Sequence, residues 1–132
     1  MILQVDTDSP IPPYEQIRSQ IAAMATNGAL PPGHRLPSIR QLASDLDLAP
    51  GTVARAYREL ESAGLVVSRA GRGTTIATTV TQISEQTRQR NLRDAARAYA
   101  AAVRRLGATR DQALAAVTEQ LKPTPHPDLN PT

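Results

Sequence analysis

Apolar residues recur at Tyr14, Ile17, Ile21 and Met24, the spacing of one face of an α-helix. Pro12 and Pro13 suit the entrance of that helix, and Asn27-Gly28 suits its end. The run Pro31-Pro32-Gly33 then forces a turn. Ser38-Ile39-Arg40-Gln41 has the form of a capping box, in which the serine oxygen takes the N–H three residues on and the glutamine reaches back. A second helix is expected from there, with Ile39, Leu42, Ala43 and Leu46 on its apolar face. It should be short, ending near Asp47, because Pro50 disfavours helical geometry at Ala49. Pro50 fits the first position of a third helix, whose buried stripe reads Val53, Ala56, Tyr57 and Leu60 and whose left-handed terminator is Gly64. The period then changes. Leu65-Val66-Val67-Ser68-Arg69 has the length and β-branched content of a strand, Ala70-Gly71-Arg72-Gly73 supplies hairpin glycines, and Thr74-Thr75-Ile76-Ala77 reads as the return strand.

From about Val80 to Leu106 the pattern is helical again, polar at first and then tightening into Leu92, Ala95, Tyr99, Ala102, Val103 and Leu106 before Gly107. Thr109-Arg110-Asp111-Gln112 is a second capping box, opening a helix with Leu114, Val117 and Leu121 as its apolar positions and Pro123 at its end. The expected organisation is a helical and hairpin domain over residues 1–78, a two-helix region over 79–122 and a proline-rich flexible tail over 123–132.

Composition removes several function classes. At 132 residues the chain supports one small domain, or one domain with an appendage, and excludes a large multidomain enzyme. With no Phe, no Trp and three Tyr, the core must come from Leu, Ile, Val and Ala, and an aromatic platform for stacking single-stranded bases is not on offer. The absence of cysteine removes disulfides and thiolate chemistry and fits a reducing compartment. No apolar run approaches the roughly 18 residues of a membrane span, and Met1 to Ser9 lacks a leader pattern, so the reading is cytoplasmic, with no membrane partner. Enzyme readings fail on inventory. His34 and His126 have no ligand-spaced partner, so no metal or other cofactor is expected; Ser38 is a cap, and the single lysine, Lys122, follows no glycine-rich phosphate loop.

Two short helices around a tight turn, followed by a glycine-tipped hairpin, form the element order of a winged helix-turn-helix, so the fold class is mainly α with a small β-hairpin wing. In that device the second helix of the pair enters the major groove and the hairpin tip approaches backbone or minor groove. Gly71-Arg72-Gly73 gives the tip small residues and a positive charge. The segments Pro10 to Ile17, Leu30 to Ala43, Thr52 to Glu61, Gly64-Leu65-Val66 and Arg72-Gly73-Thr74 closely resemble, in order and spacing, the DNA-binding domain of GntR-type bacterial regulators. Ala56-Tyr57 followed by a short two-helix C-terminal part looks like the YtrA branch, whereas the MocR branch carries an aminotransferase-like domain for which this chain is too short. The resemblance implies a backbone-positioning contact for Arg35, a phosphate-facing helix cap for Ser38, and a base-edge or phosphate contact for Arg40. It also implies recognition-helix positions for Thr52 and Arg55, and wing contacts for Gly71 and Arg72. Ala49 and Gly51 depart from the family, whose members usually carry polar side chains there. Arg58 is read as an ordinary helix-surface partner of Glu61, and Arg55 and Glu59 are four apart.

Arg88, Arg90, Arg93, Arg97, Arg104, Arg105 and Arg110 share their stretch with one acid, Asp94, and are read as the wet face of an interface helix, with contact to DNA as the alternative. Two helices cannot close a core alone. Leu92, Tyr99, Val103, Leu106, Leu114 and Val117 are therefore expected at a homodimer interface, which would set two recognition helices on half-sites about 34 Å apart. Any small-molecule effector would have to bind at that interface, since one subunit offers no room for a cavity of about 300 Å³. The reading is a homodimeric, sequence-specific regulator of double-stranded DNA that binds a palindromic operator through its two-fold symmetry, with the repressor sign implied by the resemblance. The alternative is a winged-helix adaptor for proteins, without sequence-specific DNA binding.

Overall fold

The computed structural model describes residues 3–122, and the expected proline-rich tail lies outside them. The element order is α1 (Pro13–Asn27), α2 (Ile39–Leu46), α3 (Pro50–Ser62), β1 (Val66–Arg69), β2 (Gly73–Ile76), α4 (Glu85–Leu106) and α5 (Arg110–Leu121). Two compact units divide between Glu85 and Gln86.

The first unit is built around α1. Ile17, Ile21 and Ala25 point inward with no exposed surface, and they meet Leu42 and Ala43 of α2, Val53, Ala56, Tyr57 and Leu60 of α3, and Val66 and Ile76 of the hairpin. Ala25 takes the buried place expected of Met24, which is only half-buried. Each large aliphatic side chain sealed there stabilises the unit by roughly 1.5–3 kcal/mol. The helix ends follow local chemistry. Leu65 N–H reaches Leu60 C=O at 3.0 Å and Gly64 N–H reaches Glu61 C=O at 3.0 Å, the paired closing bonds of a left-handed terminator after α3. After α2 the same pair of bonds forms around Asp47, the one described non-glycine residue with positive φ, at 55°. Asp47 thus ends α2 by its own conformation, three residues before the proline expected to do so.

Two further expectations are corrected. The Ser38 capping box is half formed: Ser38 Oγ accepts from Gln41 N–H at 3.1 Å, but the Gln41 amide turns to Asp45 Oδ1 at 2.8 Å, a stronger, charged acceptor on the next turn. The helix expected from about Val80 begins only at Glu85. Val80 packs on the core, Ile83 N–H bonds Thr26 C=O at 3.1 Å and the Gln82 amide donates to Ala25 C=O, so the segment is tied to the end of α1. The N-terminal segment is also pinned. Gln16 and Gln20, one turn apart on α1, each accept a backbone N–H and donate back to a carbonyl, at Asp6 and Gln4 respectively.

In the second unit, Gly107 and Ala108 close α4 with bonds to Arg104 C=O and Val103 C=O, and the Thr109–Gln112 capping box is complete. Tyr99 Oη donates to Ala113 C=O at 2.8 Å and ties α4 to α5. No residue of either helix is buried; Leu92, Leu106, Leu114 and Leu121 are largely exposed, and Val103 and Val117 are half-buried.

Candidate nucleic-acid interface

β1 and β2 pair antiparallel from Val66–Ile76 to Arg69–Gly73, and Arg72 N–H closes the tip on Arg69 C=O at 3.0 Å. The wing has a backing that no local sequence pattern announces. Gly33 N–H bonds Ile76 C=O, Ile76 N–H bonds His34 C=O and Leu36 N–H bonds Thr74 C=O, all at 2.8–2.9 Å, so residues 33–36 run along β2 with Arg35 opposite Thr75. That pairing carries Arg35 to the wing tip. Its guanidinium lies so close over Gly73 that a Cβ there would sit 3.1 Å from Nε. Arg35, Gly71 and Arg72 are all exposed and share the wing.

α2 and α3 are fixed to one another by Tyr57. Its ring is buried in the core and its hydroxyl donates to Pro37 C=O at 2.8 Å, immediately before the Ser38 cap. Burial pushes the phenol well above its ordinary range. The core expectation for Tyr57 therefore holds, and its hydroxyl also ties the middle of α3 to the residue before the Ser38 cap of α2. Ser38 and Arg40 are exposed at that start, and Thr52 is half-buried on the first turn of α3.

The outward face of α3 is the side away from Val53, Ala56, Tyr57 and Leu60. At 3.6 residues per turn it is centred on Gly51, Arg55, Arg58 and Ser62, all exposed. Arg55 is turned to one flank. Its guanidinium carbon stands 3.7 Å from the centre of the Tyr14 ring, and Nε meets Glu59 at 3.3 Å. The Arg58–Glu61 pair expected from the sequence is not formed, because Glu61 instead accepts Ser68 N–H of β1 at 3.3 Å. Among the described residues, Arg58 has no ion-pair partner. Arg58, assigned from the sequence to a surface pair, is thus left bare, and Gly73, expected only as a tip glycine, also receives Arg35. The rival donor to Glu61 lies across a turn, and the approach of Arg35 to Gly73 depends on a strand pairing, so neither left a local signal.

A helix pair joined through Tyr57, with one bare face on α3 and a backed hairpin, defines a winged helix-turn-helix. Residues 13–76 match the family described as bacterial regulatory proteins, gntR family. The HTH-type transcriptional regulator Rv1152 of Mycobacterium tuberculosis is 40% identical over 116 residues, 88% of this chain and 91% of its own. The HTH-type transcriptional repressor YtrA of Bacillus subtilis is 42% identical over 76 residues, 58% of each chain. Among solved structures, the DNA-binding domain of AraR in complex with operator ORX1 superposes with a TM-score of 0.52 at 27% identity, covering 58% of this chain and 99% of that one. The chain belongs to the GntR family of bacterial transcriptional regulators, in its YtrA-like branch. No helix among the described residues is long and apolar enough to cross a membrane.

Proposed function

We propose that the chain is a homodimeric repressor that reads a palindromic operator in double-stranded DNA. The observation that carries the reading is the bare face of α3, held by Tyr57 beside the capped start of α2 and flanked by the Arg35-backed wing. On this reading Arg40 and Arg58 reach into the groove or its rim, Ser38 offers a helix start to phosphate, and Thr52 and Arg55 flank the groove. Gly71 lets the wing backbone approach, and Arg35 and Arg72 bring charge to sugar-phosphate. Small side chains at Ala49 and Gly51 shift the reading toward the arginines further along.

The repressor sign follows from similarity to YtrA, and operator binding from similarity to the AraR domain. Homodimerisation would cover the exposed apolar residues of α4 and α5, and any small-molecule effector would bind within that interface. The test is selection of bound fragments from the source genome, followed by a salt titration. A DNA reader that neutralises some six phosphates should lose about 10³ in affinity between 50 and 200 mM salt. No preference for any genomic fragment over scrambled competitor would overturn the reading in favour of a protein adaptor.

A further inference from the structure

The positive charge of the chain is not where the reading surface is. Residues 1–85 carry seven arginines against eight acids, for a net charge of −1. Of those arginines, Arg18 is clasped by Glu15 at 2.6 Å and Arg55 by Glu59. Residues 86–122 carry seven arginines and Lys122 against Asp94, Asp111 and Glu119, for a net charge of +5. The two helices of the second unit hold the whole excess.

Much of that excess is ordered into a line. At 3.6 residues per turn, Arg90, Arg93, Arg97 and Arg104 of α4 fall within an arc of about 60°, roughly 140° around the helix from the arc of Leu92, Tyr99, Val103 and Leu106. The line spans about 21 Å of helix. All four are exposed. Arg97 meets Asp94 at 3.3 Å across open solvent, and among the described residues Arg90, Arg93 and Arg104 have no ion-pair partner. An ordinary solvated helix face interleaves both signs. Here Arg93 stands three residues from Arg90 and four from Arg97, with Arg104 two turns further on, and each of the two close like-charge pairs opposes the helix by a few tenths of a kcal/mol unless a polyanion relieves it. Guanidinium groups grip phosphate bidentately, which makes this face suited to a phosphate ladder.

We propose that the Arg90/Arg93/Arg97/Arg104 face of α4 is a second, sequence-independent DNA contact that binds duplex phosphates, while the winged unit reads the bases. The proposal rests on the DNA-binding reading above. It divides the labour between the units: the first, near neutral, supplies discrimination, and the second supplies most of the electrostatic attraction. The opposite, apolar face of the same helix stays available for a second copy of the chain.

The full-length protein tests this on two duplexes, a genomically selected operator and an arbitrary sequence of equal length, titrated from 50 to 200 mM salt. The variant R90Q/R93Q/R97Q/R104Q keeps the helix and removes the charge; the corresponding all-Lys variant keeps the charge. On the arbitrary duplex the Gln variant should bind at least tenfold more weakly at 50 mM, with a log–log salt slope shallower by about 0.9 for each phosphate it no longer neutralises. The Lys variant should stay within a few-fold of the parent. The operator-to-arbitrary preference of the Gln variant should be preserved. A Gln variant that is folded by circular dichroism and matches the parent on the arbitrary duplex at every salt concentration overturns the proposal. So does one that loses operator preference while keeping its salt slope. Absence of operator preference in the parent itself is a separate result, and it defeats the reading of the winged unit instead.

Discussion

The guanidinium of Arg35 lies across the backbone of Gly73, so that a Cβ on Gly73 would stand 3.1 Å from Nε and 3.2 Å from a terminal nitrogen. The two residues belong to different turns of chain, brought together because residues 33–36 hydrogen-bond along β2. Gly73 has φ +73°, a left-handed conformation that an L side chain enters at a cost of roughly 1–2 kcal/mol. Gly73→Ala therefore meets backbone strain and obliges the Arg35 guanidinium to give by a few tenths of an ångström. It should lower the melting temperature by several degrees, since about 1 kcal/mol is worth roughly 4–8 °C in a domain of this size. Affinity should fall for all duplexes alike, as for Arg35→Ala. Unchanged melting and affinity would show that the approach has no consequence.

The two arginines on the outward side of α3 should separate in their effects. Arg55 faces Tyr14 and Glu59 within the fold, contacts worth about 0.5–1 kcal/mol for the exposed ring stacking and about 0.3–0.5 kcal/mol for the pair. Arg58 meets solvent. Arg58→Ala should cost about 1–3 kcal/mol of operator binding and relax preference at one base pair per half-site, whereas Arg55→Ala should appear mainly in thermal stability. Selection of bound sequences with each variant checks this, and a relaxed preference in Arg55→Ala alone would reverse the assignment.

Local chemistry made most of the fold legible. Pro13, Gly28, Pro50 and Gly64 punctuate helices because proline and left-handed residues act through their own backbone, and a few residues of sequence suffice to see them. What stayed hidden depends on which of two partners wins one group. Gln41 could return to Ser38 or go on to Asp45; Glu61 could serve Arg58 or the Ser68 N–H; the segment from Val80 to Ser84 has helix-compatible residues but a better offer from α1. For Glu61 and for the segment from Val80, the sequence shows one partner and the fold supplies a second that wins; for Gln41 both partners are local and the charged one wins. The candidate site divides the same way: the exposed arginines could be read from spacing, but whether each was free or held inside the fold could not.

Tyr57 gives a pH dependence with a definite sign. Burial raises its phenol above the ordinary value of 10, so the folded state resists ionisation that the unfolded chain undergoes freely. The stabilisation is complete below pH 10 and is lost progressively as pH rises from there toward the folded-state value. Chemical unfolding at a series of pH values from about 8 upward should show stability falling above the ordinary phenol value. Tyr57→Phe should flatten that fall while lowering stability at about pH 8 by about 0.5–1.5 kcal/mol, because the bond to Pro37 goes with the hydroxyl. Parallel alkaline slopes in both proteins would locate the titration elsewhere.

The oligomeric state should answer to residues on α4 that the subunit does not use for itself. Tyr99 is a poor probe, since its hydroxyl clasps Ala113 and a charge there could open the helix pair. Leu92 and Leu106 hold no such bond and are 64% and 81% exposed, on the same side of α4. Burying either against a second copy would contribute roughly 1.5–3 kcal/mol per side chain, twice over in a two-fold dimer. Leu92→Glu with Leu106→Glu should therefore leave each subunit folded, with the helical circular dichroism of the parent, while sedimentation at micromolar concentration shifts from dimer to monomer. Operator affinity should fall steeply with it, because two half-sites can no longer be engaged by one particle. A double variant that still sediments as a dimer would place the interface on another surface of the chain.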